Sequence, residues 1–95
     1  MNLKDTIRNI PDFPIPGVLF RDITTLFKDP DAYRELIDRI VDTLAGKHVD
    51  IVVGPEARGF VIGAGLAYAL HAGFVLVRKP GKLPCETLQQ EYQLE

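Results

Sequence analysis

Two short stretches of the chain carry residues suited to binding an anion with several charges. The first, Gly54 to Gly59, reads GPEARG and follows the β-branched run Ile51 to Val53. The second, Arg78 to Lys82, reads RKPGK and follows the apolar run Phe74 to Val77. Backbone N–H groups at the start of a helix attract anions, and Arg and Lys side chains add positive charge. Together the two stretches predict a polyphosphate site if the fold brings them to one place.

The residues between these stretches predict such a fold. Short apolar runs like Ile51 to Val53 and Phe74 to Val77 are typical of strands buried on both faces of a parallel sheet. The intervening Phe60 to Leu70, rich in Ala and Gly, is expected to form a helix that packs closely on that sheet. Strand, helix and strand then form a βαβ unit, in which both strands are parallel. Ligands bind beyond the carboxyl ends of such strands, so Arg58 and the three cations of the second stretch should converge there.

Each stretch also has a simpler interpretation. A glycine turn after a buried strand is often only a tight connection into a helix, and a loop such as RKPGK is often only solvated surface. The predicted topology, in a chain with a net charge of -2, is what favours a shared anion site.

The rest of the chain predicts further elements around this unit. Asp29 as N-cap, Pro30 at the first helical position and Gly46 as the stop predict a long helix with one apolar face. Asn2 can cap a short first helix that Pro11 ends. The prolines and Gly17 between Pro11 and Thr24 predict an ordered, extended loop. The alternating segment Thr87 to Glu95 predicts an edge strand or a mobile flap.

Composition limits the classes of protein that fit. With 95 residues, 46% of them hydrophobic and 25% charged, the chain suits one small globular α/β domain. The net charge of -2 argues against nucleic-acid binding, and no apolar run is long enough to span a membrane. A single cysteine, Cys85, has no partner for an internal disulfide and is expected to be a loop thiol, which suits a cytoplasmic protein.

Four motifs carry a resemblance to a known family. FPIPGVLFRDIT at Phe13 to Thr24, VVGPEARGF at Val52 to Phe60, VRKPGKLP at Val77 to Pro84 and the terminal EYQLE resemble adenine phosphoribosyltransferases in order, spacing and content. The resemblance covers residues 10–95. It implies a partial type I phosphoribosyltransferase fold, in which a parallel sheet with a βαβ unit follows an N-terminal hood segment. The implied divisions are an N-terminal helix and adenine hood at 1–24, the first half of the α/β core at 25–86, and the start of a flexible catalytic loop at 87–95.

The resemblance also implies a role for individual residues. Leu19 would press an apolar surface on adenine, while the backbone of Arg21 would read its amino edge. Glu56, Ala57 and Arg58 match the pyrophosphate loop, with a cis bond between the first two. Glu95 matches the catalytic carboxylate, which near neutral pH would need a closed, water-free loop. Further charge for the pyrophosphate would come from Arg78, Lys79 and Lys82. Magnesium would arrive with phosphoribosyl pyrophosphate, and the intact enzyme would be a homodimer.

Several alternatives stay open. Leu19 could be a core residue and Glu95 a frayed terminal charge. The family's motif for the sugar 5-phosphate is expected beyond residue 95, so the chain alone looks truncated and is expected to be inactive. Another purine phosphoribosyltransferase is an alternative, as is a non-catalytic ligand-sensing domain or an interaction fragment of the same fold.

Overall fold

A computed structural model describes residues 1–83 of the protein. The predicted edge strand or flap at Thr87 to Glu95, with Cys85 and Glu95, lies outside the described residues. The chain forms two compact units, one of residues 1–48 and one that begins at Val49. The division at residues 24 and 86 into hood, core and loop stays a prediction.

The first unit begins with one short helical turn and a β-hairpin. A 3₁₀ helix covers Leu3–Thr6, and the Asn2 side chain caps it by accepting the Lys4 N–H at 3.1 Å. The chain then becomes extended, and β1 (Arg8–Pro11) pairs antiparallel with β2 (Leu19–Asp22).

Two sequence-based predictions in this region are therefore wrong in part. The N-terminal helix ends at Thr6 instead of continuing to Pro11, and the segment from Pro11 to Thr24 contains a strand. A helix of one or two turns gains few hydrogen bonds for the residues it fixes, whereas residues 8–11 gain a cross-strand partner at every position.

The proline-rich connection between β1 and β2 is ordered by its own contacts, as predicted. Asp12 and Gly17 have positive φ angles of 55° and 86°. The Gly17 N–H donates to Asp12 Oδ1 at 2.9 Å, and the Phe13 N–H donates to the Val18 carbonyl at 3.1 Å. The rings of Phe13 and Phe20 pack edge to face at 5.2 Å.

A buried carboxylate fastens the end of the hairpin to the next helix, α1 (Thr24–Phe27). Asp22 is 8% exposed. It accepts hydrogen bonds from the Thr24 N–H at 2.9 Å, the Thr24 hydroxyl at 2.6 Å and Arg8 Nη2 at 2.5 Å. Hydrogen bonds from Thr24 and Arg8 lower the pKa of Asp22 from 3.8 to about 2. The carboxylate is thus held in its charged form by groups on both sides of it.

Helix α2 (Pro30–Thr43) confirms the long helix predicted from sequence, although it ends three residues before Gly46. Asp29 caps it by accepting the N–H groups of Asp31 and Ala32 at 3.0 and 3.1 Å. Ala32 and Ile37 are buried, and α1 contributes Leu26, which is 2% exposed, to the same unit's core. The predicted apolar face therefore points inward.

The second unit is the predicted βαβ arrangement. Strand β3 (Ile51–Pro55) is followed by helix α3 (Arg58–Leu70) and strand β4 (Gly73–Val77). The two strands are hydrogen-bonded neighbours and run parallel, in a register from Ile51 opposite Gly73 to Pro55 opposite Val77. Both strands therefore end at the same edge of the sheet, as the convergence argument requires.

Close packing holds α3 against this sheet. A Cβ atom built on Gly63 would lie 2.4 Å from Phe74 Cε1, and one built on Gly54 would lie 2.8 Å from the same atom. Phe74 also meets Phe60 of α3 edge to face at 6.1 Å. The absence of side chains on the two glycines is what lets the Phe74 ring lie between helix and strand.

One expectation about the sheet is wrong in the described structure. The strands were expected to be buried on both faces, yet Ile51, Val53 and Val75 are 52%, 58% and 47% exposed. Helix α3 packs on the face that carries Phe74. Within residues 49–83, the described part of this unit, no second helix covers the other face.

We expect Gly63→Ala to destabilise the protein despite the better helix propensity of alanine. The added methyl group would overlap the Phe74 ring, and overpacking of this kind costs about 1–3 kcal/mol. Urea unfolding of the wild type, Gly63→Ala, Phe74→Leu and the double variant would complete a double-mutant cycle, which gives the coupling free energy between the two sites. A coupling of at least about 0.5 kcal/mol between the two sites is expected. Additive effects, or a stabilised single variant, would contradict the packing account.

We also expect Asp22 to make stability depend on pH. Because the pKa of Asp22 is lowered on folding, its contribution is present above about pH 4 and is lost as the pH falls toward about 2. Melting temperatures of the wild type and Asp22→Asn, measured across this range, should therefore converge at the acid end. Asp38→Asn, at an exposed position of α2, is the control. A constant difference between wild type and Asp22→Asn would count against the charged network.

Candidate functional site

The loop after β3 joins the strand directly to the start of α3. The peptide bond between Glu56 and Ala57 is cis, as the resemblance implied. Ala57 is the N-cap of α3, and its side chain makes no capping hydrogen bond. Gly59 lies so close to the strand end that an added Cβ would be 2.5 Å from Pro55 Cδ. The loop lines a concavity of about 350 Å³ made by residues 55–59, which places the start of a helix beside a small open site.

The loop after β4 is a tight turn that carries three cations. The Lys82 N–H donates to the Lys79 carbonyl at 3.3 Å, across Pro80 and Gly81. Gly81 has a φ of 81°. Proline followed by a residue with positive φ is the preferred filling of a type II turn. Arg78 Nη1 donates to the Lys82 carbonyl at 3.5 Å, which keeps the ends of the turn together.

Glu56 links the two loops through both its backbone and its side chain. Its N–H donates to the Val77 carbonyl at 3.0 Å, which continues the strand pairing by one residue. Its Oε1 accepts the Lys79 N–H at 2.5 Å, and its Oε2 lies 3.8 Å from Arg78 Nη2. The hydrogen bond from the Lys79 backbone, followed by the charges of Arg78, Lys79 and Lys82, lowers the pKa of Glu56.

The structure therefore brings together most of the residues predicted for the anion site. Glu56, Arg78 and Lys79 are in direct contact, and Lys82 closes the same turn. Ala57 and Arg58 follow Glu56 at the start of α3. Sequence reasoning missed that the Glu56 carboxylate bonds to the opposite loop, because its partner is a backbone N–H that no residue pattern reveals.

Leu19 and Arg21 lie in the first unit, on strand β2. They are two residues apart and both exposed, whereas Phe20 and Asp22 between and after them are more buried. Leu19 is 53% exposed, which does not fit the alternative that it is a core residue. In the described residues β2 pairs with β1 alone, so one of its edges offers backbone groups to a ligand.

Two absences apply to the part of the chain that the structure describes. Residues 1–83 contain no group of three or more His, Cys, Asp or Glu side chains that could hold a metal ion. In the same range, no helix has the length and apolar character needed to cross a bilayer.

Comparison with known proteins gives consistent matches. The adenine phosphoribosyltransferase of Thermotoga neapolitana is 60% identical to this chain over all 95 residues, which are 56% of its own length. The crystal structure of adenine phosphoribosyltransferase from Thermoanaerobacter pseudethanolicus superposes with a TM-score of 0.88 at 53% identity, over 96% of this chain and 54% of that one.

A third match includes bound ligands. The Saccharomyces cerevisiae adenine phosphoribosyltransferase, solved with adenine and an imino-altritol bisphosphate, has a TM-score of 0.80 at 42% identity, over 88% of this chain and 52% of that one. No family model matches the chain.

The fold and the two loops at its sheet edge define a part of a type I phosphoribosyltransferase domain. Sequence and structure then narrow the class further. The chain is similar over its whole length to adenine phosphoribosyltransferases and corresponds to the N-terminal half of those enzymes. It spans about half the length of the curated relatives it matches.

We expect Gly81→Ala to disturb the cation-bearing turn. The site is open around Gly81, so the cost comes from placing a Cβ on a residue with φ of 81°, about 1–2 kcal/mol. Amide hydrogen exchange at Lys82 should become faster, because its N–H closes the turn. Gly81→Asn should be milder, since asparagine tolerates positive φ better than alanine. Equal exchange in wild type and Gly81→Ala would show that the turn does not need this conformation.

Proposed function

We propose that the enzyme to which these residues belong transfers the phosphoribosyl group of phosphoribosyl pyrophosphate to adenine, in purine salvage. A bond forms between a base nitrogen and the anomeric carbon, the bond from that carbon to the pyrophosphate breaks, and the base nitrogen loses its proton. The products are AMP and pyrophosphate. The observation that carries the proposal is that the loops after β3 and β4, which follow parallel neighbouring strands, meet in a chain with these relatives.

The pyrophosphate would bind where β3 and β4 end. The residues proposed for this role are Glu56, Ala57, Arg58, Arg78, Lys79 and Lys82. The start of α3 supplies N–H groups without a side-chain cap, and the turn after β4 supplies cations that a pyrophosphate would neutralise. Since Glu56 joins the loops, both donors belong to one local structure.

Adenine would bind to the hood segment through Leu19 and Arg21. The exposure of Leu19 leaves an apolar surface for the flat base. The edge of β2 that pairs with no strand within residues 1–83 supports recognition by the backbone of Arg21. Such a site rejects hypoxanthine because a mismatched donor or acceptor would remain buried without a partner. The adenine complex of the yeast relative, 42% identical to this chain, adds support.

Two further roles complete the proposal. Magnesium would come in with the substrate, because it prefers phosphate oxygens and water to an all-protein cage, and it would offset the charge of the phosphate groups. Glu95 would serve as the carboxyl group that mediates proton transfer at the base once its loop closes. We further propose that the enzyme is a homodimer and that it is located in the cytoplasm. The single cysteine is the sequence argument for this location.

The alternatives predict different binding behaviour. Another purine phosphoribosyltransferase would prefer hypoxanthine or guanine to adenine. A ligand-sensing domain would bind its ligand without turnover, and an interaction fragment would bind neither adenine nor phosphoribosyl pyrophosphate. Calorimetric titration of the 95-residue chain with each compound separates these cases.

A chimeric enzyme tests the activity directly. Residues 1–95 would be joined to the part of the Thermotoga neapolitana enzyme that lies beyond the matched region. The chimera should form AMP from adenine and phosphoribosyl pyrophosphate with magnesium, while the 95 residues alone should form none, because transfer requires the sugar to be held at both of its phosphate ends. A folded chimera without activity, beside an active Thermotoga enzyme, would refute the proposal.

In this chimera we expect two substitutions to weaken the use of different substrates. Arg58→Ala should raise the KM for phosphoribosyl pyrophosphate, and Leu19→Ala should raise the KM for adenine. Loss of a hydrogen-bonded charged contact costs roughly 1.5–3 kcal/mol, so the effect of Arg58→Ala on kcat/KM should be at least about tenfold. Steady-state kinetics with each substrate varied in turn would check this. Equal effects of both variants on both substrates would contradict the assignment.

A further inference from the structure

We propose that the Glu56 carboxylate is a positioning group, which holds the turn at Arg78–Lys82 in place for the pyrophosphate and does not itself contact the ligand. The inference rests on the proposed function for the identity of the ligand. The resemblance, and the proposed function above, group Glu56 with the residues that bind pyrophosphate. The present proposal makes its side chain a group that acts through the opposite loop instead.

The contacts of Glu56 fall on three consecutive residues, the last of β4 and the first two of the loop that follows it. Its backbone N–H reaches the Val77 carbonyl at 3.0 Å, and its two carboxylate oxygens reach the Lys79 N–H at 2.5 Å and Arg78 Nη2 at 3.8 Å. The Glu56 side chain is 22% exposed, so most of it is enclosed. Three contacts in a row fix both the position and the direction of the chain as it leaves β4.

The turn has little else to fix it. Its other hydrogen bonds within residues 1–83 are local, from Lys82 to Lys79 and from Arg78 to Lys82. In this part of the chain, Glu56 accounts for the hydrogen bond and the ion pair that connect residues 78–83 to the rest of the unit. Removal of the carboxylate would leave a turn that keeps its internal shape but can swing about the end of β4.

The charge of Glu56 argues against direct contact with a pyrophosphate. Two anions at the same point repel each other, and both carboxylate oxygens already face donors of the opposite loop. The shorter contact is to a backbone N–H and not to a cationic side chain, which is the geometry of an anchor. The carboxylate thus leaves the ammonium groups of Lys79 and Lys82 to the ligand.

A competing account makes a distinct prediction. If the carboxylate instead occupied the ligand's own place when the site is empty, its removal would strengthen pyrophosphate binding. If it anchors the turn, its removal weakens binding, and glutamine, which keeps an oxygen to accept the Lys79 N–H, restores part of the loss.

The test uses the 95-residue chain as wild type, Glu56→Ala, Glu56→Gln and Glu35→Gln. The last removes one carboxylate from an ion pair with Arg39 on the surface of α2 and serves as the matched control. Amide hydrogen exchange measured by NMR reports the anchor without any ligand. We expect Lys79 exchange to be at least about tenfold faster in Glu56→Ala, partly restored in Glu56→Gln and unchanged in Glu35→Gln.

Calorimetric titration with inorganic pyrophosphate then measures the consequence. We expect binding about tenfold weaker in Glu56→Ala, with Glu56→Gln between it and the wild type. Tighter binding in either variant, or Lys79 exchange that does not respond to Glu56→Ala, would overturn the proposal. A wild-type chain that protects Lys79 but binds no pyrophosphate would count against the proposed function, while the exchange data would still decide the role of Glu56.

Discussion

The close approach of helix α3 to the β3–β4 pair is the constraint on which the site depends. Gly54 and Gly63 leave room for the Phe74 ring, and Gly59 lets the start of the helix touch Pro55. Because the helix cannot move away from the strands without opening this packing, the two residues between β3 and α3, Glu56 and Ala57, have little freedom. The loop after β3 is therefore shaped by the packing of Phe74 against the glycines, and its cis peptide lies between the strand and the helix that this packing holds together.

The parts of the fold that local residue patterns encode could be predicted from the sequence. Helix α2 has a cap, a proline at its first position and an apolar stripe, each of which carries its own physical reason. Strands β3 and β4 are short apolar runs on either side of a helical segment, and chain topology then leaves parallel pairing as the expected outcome. The sheet edge at which the loops after β3 and β4 meet followed from that pairing alone.

The parts that depend on distant partners could not be predicted in this way. Strand β1 contains Arg8 and Pro11 and has no apolar alternation, so its pairing with β2 becomes visible only with the Asp22 network that joins them. Likewise Glu56 is bonded to a backbone N–H 23 positions away, and any residue type other than proline would supply such a donor. The exposed face of the β3–β4 sheet could not be predicted for the same reason. An apolar run shows that burial of a strand is favourable, but it does not show which other segment covers the strand.

The charges at the edge of the sheet have to satisfy two opposing demands. Arg58, Arg78, Lys79 and Lys82 suit a ligand with several negative charges, yet cations near one another repel when the ligand is absent. One carboxylate among them relieves part of that repulsion. The hydrogen bond from the Lys79 backbone, followed by the charges of Arg78, Lys79 and Lys82, lowers the pKa of Glu56 and keeps it ionised. Because Glu56 bonds to the backbone of the turn, it reduces the repulsion without taking a lysine side chain out of use. A neutral residue at this position would lack the ion pair with Arg78, so the turn after β4 would be held less firmly and its cations would repel one another more.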